Sequence, residues 1–153
     1  MKINKKKSQI KNVKFGKNVT IVEPVNLYDC HIDDNCFIGP FVEIQKNSKI
    51  GKNTRVQSHS FICENVEIGE NCFIGHGVNF INDKFENNKI LKENYLSTTV
   101  LNNVLIGSNS TILPVIIKKN VTIGAGSVVT KNCSANKIFV GNPAKLLKKN
   151  EKK

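Results

Sequence analysis

An aliphatic or aromatic residue occupies every sixth position along most of this chain. The series runs without interruption from Ile32 to Phe80, resumes at Val100, shifts by one residue after Ile112, and continues to Val129. Repeats this short are typical of a solenoid in which each unit supplies a short strand and a turn. Three six-residue units would complete one triangular turn, and successive turns would stack at roughly 4.8 Å, the spacing of paired strands.

The fourth and fifth positions of each unit follow patterns of their own. The fourth is mostly Asn or Gly, the residue types that best tolerate the left-handed backbone conformation of a tight corner. The fifth is small or β-branched, as Cys36, Ser48 and Thr54 illustrate, which suits a narrow interior shared by three corners. We therefore predict an all-β protein, a parallel β-helix whose first and fifth positions face inward.

The length fits a single domain over residues 1–153. Residues 84–99 break the repeat, and we predict a loop extruded from one corner, because long loops in compact domains often carry function. The repeat ends near residue 134. The tail holds the sequence VGNPAK at residues 140–145 and a Lys-Leu-Leu-Lys-Lys run, which we predict to be helical and to cap the open end of the core.

The net charge of +11 lies mostly near the two ends of the chain. A basic surface can bind nucleic acid, but no aromatic residues interleave with these lysines, so we expect no nucleic-acid partner. Attraction of small phosphorylated ligands explains the sign of the charge equally well. No apolar run approaches a membrane span and the Lys-rich start lacks the apolar core of a secretory signal, so we expect a cytoplasmic protein with no membrane partner.

The five cysteines lack the spacing of a metal site, and we expect no bound metal. Cys36, Cys72 and Cys133 fall at inward fifth positions, which predicts buried thiols in a reducing compartment. Cys63 falls at a second position, which the register directs outward.

The register also gathers polar side chains at two corners. His59 and His76 fall at one corner in adjacent turns. Glu64 and Asn82 stack directly at the following corner, and Asp83 adjoins Asn82 just before the predicted loop. Imidazoles and carboxylates so placed could accept a proton from an incoming nucleophile. We predict a catalytic cluster here.

The stretch IGHGVNFINDKF at residues 74–85 resembles N-acetyltransferases that act on nucleotide-linked amino sugars, particularly 3-amino-3,6-dideoxyhexoses and 3-amino uronic acids. Those enzymes carry Phe-(Thr/Ile)-Asn-Asp before an extruded loop, matched here by residues 80–83. Residues 44–77 are similar to the same group. The motifs GAGSVVTK (124–131) and VGNPAK (140–145) are general to hexapeptide-repeat acyltransferases, so the resemblance implies a left-handed β-helix and acyl transfer from acetyl-CoA.

The resemblance further implies a homotrimer with its active site between subunits, a dTDP- or UDP-linked amino sugar as acceptor, and a product that enters a surface glycan such as the O-antigen of lipopolysaccharide. The implied catalytic residues are His59, Glu64, His76, Asn82 and Asp83. The implied substrate-binding residues are Glu64, Asn82, Asp83 and Lys84. Coenzyme A would be flanked by Gly107, Gly124, Ala125, Gly126, Lys131, Asn142, Pro143 and Lys145.

One departure from the resemblance leaves the sugar and the nucleotide open. Many of these enzymes follow the Asn-Asp pair with Tyr/Phe-Pro-Arg, whereas Lys84-Phe85 here leads into Glu86. Three alternatives also stay open. An O-acetyltransferase for serine or a sugar hydroxyl usually places an essential His in the extruded loop or coil, and residues 84–99 contain none. A γ-type carbonic anhydrase needs three zinc-bound histidines, but no His-x4-His spacing occurs. The last alternative is a non-catalytic β-solenoid.

Overall fold

A computed structural model of the chain describes residues 9–83 and 95–147. These residues form twenty-one short strands and no helix, which confirms the prediction of an all-β protein. The strands belong to three sheets, which we call A, B and C in the order in which the chain visits them. None of the described segments forms a helix with the length and apolar character that a bilayer crossing needs.

Each turn of the solenoid contributes one strand to each sheet. Sheet A consists of β1 (Ile10–Lys11), β4 (Asn26–Tyr28), β7 (Glu43–Ile44), β10 (Phe61–Ile62), β13 (Asn79–Phe80), β16 (Thr111–Ile112) and β19 (Val128–Val129). Sheet B consists of β2 (Lys14–Phe15), β5 (His31–Ile32), β8 (Lys49–Ile50), β11 (Val66–Ile68), β14 (Thr98–Val100) and β17 (Ile116–Ile117). Sheet C consists of β3 (Thr20–Ile21), β6 (Phe37–Ile38), β9 (Arg55–Val56), β12 (Phe73–Ile74), β15 (Leu105–Ile106), β18 (Thr122–Ile123), β20 (Ile138–Val140) and β21 (Lys145–Leu146).

Parallel pairing between successive turns confirms the predicted register. Ile44 pairs with Ile62, eighteen positions later. Ile112 pairs with Val129, seventeen positions later, which is the slip seen in the sequence. Phe80 pairs with Ile112 because extra residues separate β13 from β14 in the sequence. The left-handed winding stays a prediction from the family resemblance.

The interior is filled by the first and fifth positions of the repeat. Ile38, Ile62 and Ile74 are fully buried. Polar residues at the fifth position are buried as well. Ser48 Oγ donates to Cys63 O at 2.8 Å, and Ser127 Oγ accepts from the Gly141 N–H at 3.1 Å. Small hydroxyl residues are therefore tolerated inside because the narrow core offers them backbone partners.

The corners adopt the predicted left-handed conformation. At the corner between sheets B and C, Asn35, Asn53 and Asn71 have φ values of 56°, 58° and 55°. Their side chains form a ladder in which Asn35 Nδ2 donates to Asn53 Oδ1 at 3.2 Å and Asn53 Nδ2 donates to Asn71 Oδ1 at 3.0 Å. Asn thus serves both the turn geometry and the contact between turns.

Two predictions about the irregular segments were wrong in detail. Strand β14 begins at Thr98, so the last two residues assigned to the loop belong to sheet B. Lys145–Leu146 form an antiparallel strand against β20 instead of a helix, which satisfies backbone groups that the last turn of sheet C would leave unpaired. The tail still covers the end of the solenoid, because Ala144 packs against the core. Residues 84–94 and 148–153 lie outside the described residues.

Candidate active site

The corner between sheets C and A, which we call corner CA, departs from the asparagine ladder of the other corners. Phe41, His59 and Gly77 occupy the left-handed position in three successive turns, with φ values of 60°, 62° and 64°. The rings of Phe41 and His59 stack with centroids 4.8 Å apart. A bulky aromatic residue in this conformation is a genuine outlier, and such outliers concentrate at functional sites.

His76 lies at corner CA beside Gly77 and is held by the turns below and above it. Its Nδ1 lies 2.8 Å from Ser58 Oγ, and its backbone N–H donates to Ser108 Oγ at 3.2 Å. The Gly77 N–H also donates to the carbonyl of Ser58, at 3.0 Å. The imidazole is therefore fixed through one nitrogen, and its exposed position leaves the ring accessible.

A cavity of about 470 Å³ lies at the other end of β13, where sheet A meets sheet B. We call this corner AB. Asn82 and Asp83 line the cavity with aromatic and apolar neighbours, and Asn82 Nδ2 donates to the carbonyl of Glu64 at 3.5 Å. The Glu64 carboxylate forms an ion pair with Lys46 at 3.5 Å and does not line the cavity. The full lining is Phe61, Cys63, Asn79, Phe80, Ile81, Asn82, Asp83 and Tyr95.

The predicted catalytic residues therefore form two groups and not one cluster. His59 and His76 share corner CA, and Glu64, Asn82 and Asp83 share corner AB, with the strands of sheet A between them. Lys84 lies outside the described residues. Asn79 links the two groups, because it lines the cavity and its Nδ2 donates to the Gly77 carbonyl at 2.9 Å.

Four residues of these groups were missed by sequence reasoning. Ser58 follows Val56 by two positions as His76 follows Ile74, so the register alone places it beneath His76. Asn79 and Phe61 are the outward residues of paired strands, a position the register also gives. Tyr95 returns from the irregular segment, where no periodic signal exists.

Cys63 is buried, so its predicted outward orientation was wrong. It lines the cavity with Tyr95, and the returning chain is tied to this corner by the Leu96 N–H, which donates to the Asn82 carbonyl at 2.8 Å. Burial raises the pKa of the Cys63 thiol to about 12. It therefore stays protonated near neutral pH and is a poor nucleophile. The predicted burial of Cys36, Cys72 and Cys133 is confirmed.

The glycines predicted to flank coenzyme A continue corner CA toward the C-terminal end. A Cβ on Gly107 would strike the backbone of Ala125, and one on Gly124 would lie 2.7 Å from Val140 Cγ1, so packing against the following turn accounts for both glycines. Gly126 differs, because a Cβ there would meet nothing within 4 Å although the φ value is +67°. Its open side leaves room for a ligand to approach the backbone.

The remaining residues predicted to contact coenzyme A lie in two separate places. The chain from Gly141 to Ala144 is bonded to this corner, since the Gly141 N–H donates to Ser127 Oγ at 3.1 Å and the Ala144 N–H to the Val128 carbonyl at 2.8 Å. Asn142, Pro143 and Lys145 are exposed beside it. Lys131 follows β19 toward sheet B and lies away from this group.

The three histidines do not converge as a zinc site would require. His31 lies on sheet B, whereas His59 and His76 lie at corner CA. Within residues 9–83 and 95–147, no group of three or more His, Cys, Asp or Glu side chains is placed to hold a metal ion.

Comparison with known proteins decides the family. Residues 29–64 and 47–82 match the bacterial transferase hexapeptide (six repeats) family, and residues 99–131 match the hexapeptide repeat of succinyl-transferase. The chain belongs to the hexapeptide-repeat transferases. The matched ranges include the strands that carry both corners of the candidate site.

One curated protein and two solved structures illustrate what the chain is similar to. The chain is 36% identical over 140 residues to the bifunctional protein GlmU of Wigglesworthia glossinidia brevipalpis, covering 80% of this chain and 29% of that protein. It superposes on a maltose O-acetyltransferase from Clostridium difficile with a TM-score of 0.62 and 25% identity, covering 91% of this chain and 70% of that one. A variant of perosamine N-acetyltransferase from Caulobacter crescentus, in complex with CoA and GDP-perosamine, shares the fold with a TM-score of 0.65 and 16% identity, covering 93% of this chain and 58% of that one. The chain spans 24–33% of the length of the GlmU proteins it matches.

Proposed function

We propose that this protein is an N-acetyltransferase that moves the acetyl group of acetyl-CoA to the amine of a nucleotide-linked amino-deoxy sugar. The observation that carries the proposal is the arrangement along β13. A histidine held by a serine stands at one end of the strand, and a cavity with amide and carboxylate side chains opens at the other. The Caulobacter enzyme with CoA and GDP-perosamine shows that this fold accommodates both kinds of substrate.

The reaction needs a base more than a nucleophilic side chain. The unprotonated amine attacks the thioester carbonyl, a tetrahedral oxyanion forms, and the C–S bond breaks to release the CoA thiolate. We assign His76 as the base that takes the proton lost by the attacking nitrogen, because Ser58 fixes its ring and His59 is instead stacked on Phe41. The proton can then pass to the thiolate. The backbone N–H groups of Gly75 and Gly77 already donate to the carbonyls of Ile106 and Ser58, so the oxyanion would take its hydrogen bond from another donor.

The cavity at corner AB suits the acceptor sugar. Asn79, Asn82 and Asp83 supply hydrogen-bonding groups, and Phe61 and Tyr95 supply apolar faces. Glu64 would act indirectly, since its carbonyl accepts a hydrogen bond from Asn82. Lys84, which follows Asp83 directly, would complete the binding set.

Acetyl-CoA would lie along the C-terminal part of corner CA. The open space beside Gly126 would accommodate the pantetheine arm. Asn142 and Pro143 flank the same end of the solenoid. Two lysines would contact the phosphates of CoA. Lys145 lies beside this end of the solenoid, and Lys131 would reach the phosphates from its separate position. The other predicted contacts are Gly107, Gly124 and Ala125.

We also propose that the protein acts as a homotrimer in the cytoplasm. The outer face of sheet C carries a largely apolar row in register, in which Phe73, Leu105 and Ile138 are 38%, 48% and 45% exposed and Thr122 lies between the last two. Arg55 packs over the Phe37 ring at 4.3 Å in the same row. Exposed apolar rows of this kind mark contact surfaces. The number three, and a product destined for a surface glycan, rest on the family resemblance.

A thiol-release assay with acetyl-CoA tests the proposal. The acceptors are dTDP-, UDP- and GDP-linked 3-amino and 4-amino sugars, with serine and a galactoside as controls. Release confined to amino sugars supports the proposal. If none of the acceptors in the panel gives thiol release, the proposal is overturned.

O-acetylation is the second candidate, and the Clostridium maltose O-acetyltransferase favours it. The same base at His76 could take the proton of an attacking hydroxyl. Release confined to serine or the galactoside would establish this reaction and would remove the assigned role of Asn82 and Asp83.

A further inference from the structure

Phe41 has a strained backbone conformation and an exposed side chain. Its φ is 60°, and the ring is 57% exposed. Other corners place Asn at this position and form ladders, as Asn47 does with Asn65. A phenylalanine here gains neither the conformational tolerance nor the ladder bond of asparagine, so the fold alone does not account for it.

The Phe41 ring stacks on a histidine, and Phe41 also lines a cavity among the described residues. His59 stacks on Phe41 from the turn above. On the side of the turn below lies a cavity of about 220 Å³, lined by Pro24, Val25, Asn26, Phe41, Val42 and Glu43. The Phe41 N–H donates to the Pro24 carbonyl at 2.6 Å, which places Pro24 one turn beneath Phe41.

The edge of this cavity carries a donor and an acceptor side by side. Asn26 Nδ2 donates to Glu43 Oε2 at 3.2 Å, and Gln45 Nε2 donates to Glu43 Oε1 at 2.7 Å. An amide and a carboxylate at the rim of an aromatic surface are the groups that read the polar edge of a planar heterocycle. A saturated sugar offers no comparable π-face.

We propose that Phe41 is the stacking platform for the nucleobase of the sugar-nucleotide acceptor, with Asn26 and Glu43 contacting the base edge. This inference rests on the proposed function. Pro24, Phe41, His59 and Gly77 belong to successive turns, so a base beneath Phe41 would lie three layers, or roughly 14 Å, from the His76 turn. The predicted CoA site at Gly126 lies beyond His76 in the opposite direction. The two substrates would therefore reach His76 from opposite ends of corner CA.

The test is binding of nucleotides by the full chain, measured by calorimetry without acetyl-CoA. UMP, TMP and GMP probe the base, ribose 5-phosphate is the control that lacks a base, and adenosine 3′,5′-bisphosphate represents the nucleotide of CoA. Phe41→Asn removes the ring and installs the residue that other corners carry, so the fold is expected to persist. Phe41→Tyr keeps the ring.

We expect at least one mononucleotide to bind the natural chain and Phe41→Tyr within about two-fold, and to bind Phe41→Asn at least ten-fold more weakly. Binding of adenosine 3′,5′-bisphosphate is expected to be unchanged in both variants. The platform is overturned if no mononucleotide binds, if Phe41→Asn binds it normally, or if ribose 5-phosphate binds equally well. It is also overturned if Phe41→Asn weakens only the CoA nucleotide.

The result separates this inference from the proposed function. Acetylation of an amino sugar together with normal nucleotide binding by Phe41→Asn would overturn the platform alone. Nucleotide binding that depends on Phe41, with no acetylation of any amino sugar, would uphold the platform and overturn the proposed reaction.

Discussion

Ser58 Oγ lies 2.8 Å from His76 Nδ1, and the two residues occupy equivalent positions in adjacent turns of the solenoid. The contact is produced by the eighteen-residue spacing between the two residues, which stacks one side chain above the other. In the tautomer in which the Nδ1–H donates to Ser58 Oγ, Nε2 carries the lone pair and can accept a proton from a substrate. The repeat that builds the fold therefore also orients the proposed base.

Replacing His76 with Gln keeps a polar side chain of similar length and removes the titratable nitrogen. We expect kcat for acetyl transfer to fall on the order of a hundred-fold or more, because general-base catalysis commonly contributes that much. Ser58→Ala should lower kcat by roughly ten-fold through loss of ring orientation, with little change in KM. Steady-state kinetics check both variants. Normal turnover by His76→Gln would leave His76 without a catalytic role.

Two glycines at corner CA are predicted to respond in opposite ways. A Cβ on Gly75 would lie 2.6 Å from Ser108 N, so Gly75→Ala should lower the free energy of unfolding by about 1–3 kcal/mol. For Gly126→Asn, asparagine adopts φ > 0 readily and its Cβ would meet no neighbour. The free energy of unfolding should therefore stay within about 0.5 kcal/mol of that of the natural chain.

Gly126→Asn should nevertheless raise KM for acetyl-CoA, because its side chain would fill the space left for the pantetheine arm. Urea unfolding and initial-rate kinetics measured on the same samples separate the two effects. An unchanged KM for acetyl-CoA would contradict placing the cofactor at this corner.

Much of the fold could be predicted because one period governs it. The inward isoleucines, the left-handed asparagine corners and the slip after Ile112 all follow from counting residues. The tail could not be predicted in this way. Lys145–Leu146 form a strand because β20 offers an unpaired edge, and that edge exists only in the folded solenoid.

Buried thiols are predicted to make stability fall at alkaline pH. Burial raises the pKa of Cys63 to about 12, against an ordinary value of 9.0. Burial, with the neighbouring Asp29 carboxylate, raises the pKa of Cys30 to about 11. The folded state thus holds protons that the unfolded chain releases, so stability is full below about pH 9 and declines as the pH rises toward 11–12.

Cys63→Ala isolates one of these contributions. Between pH 8 and 11 the free energy of unfolding should fall less steeply in the variant than in the natural chain, by more than about 1 kcal/mol over the range. Urea denaturation at several pH values gives the slope of the free energy of unfolding against pH for each protein. A loss of packing energy that is the same at every pH changes neither slope. Parallel slopes would show that the Cys63 thiol does not titrate differently in the folded state.

The apolar row on sheet C is predicted to hold the subunits together. Leu105→Glu places a charge on this row and should convert the assembly to monomers in light scattering. Ile116→Glu is the matched control, because Ile116 is similarly exposed, at 46%, on sheet B. Dissociation by Ile116→Glu with an intact Leu105→Glu assembly would place the interface on the other sheet.

The site was less predictable than the fold because its two corners belong to different ends of β13. Register placed His59 and His76 at one corner in adjacent turns and Asn82 above Glu64, as the structure has them. It gave no information on what covers the cavity, since Tyr95 follows a segment without periodicity. It also left Cys63 on the outside, whereas the structure buries it.

The proposed reaction transfers an acetyl group to nitrogen. Mass spectrometry of the product formed from acetyl-CoA and a nucleotide-linked 3-amino-3,6-dideoxyhexose tests this. The control is the same nucleotide carrying the 3-hydroxy sugar. We predict one acetyl group on the amino sugar, resistant to hydroxylamine as an amide is, and no product from the hydroxy sugar. A hydroxylamine-labile acetyl group on either sugar, in place of the amide, would show transfer to oxygen and contradict the proposed N-acetylation.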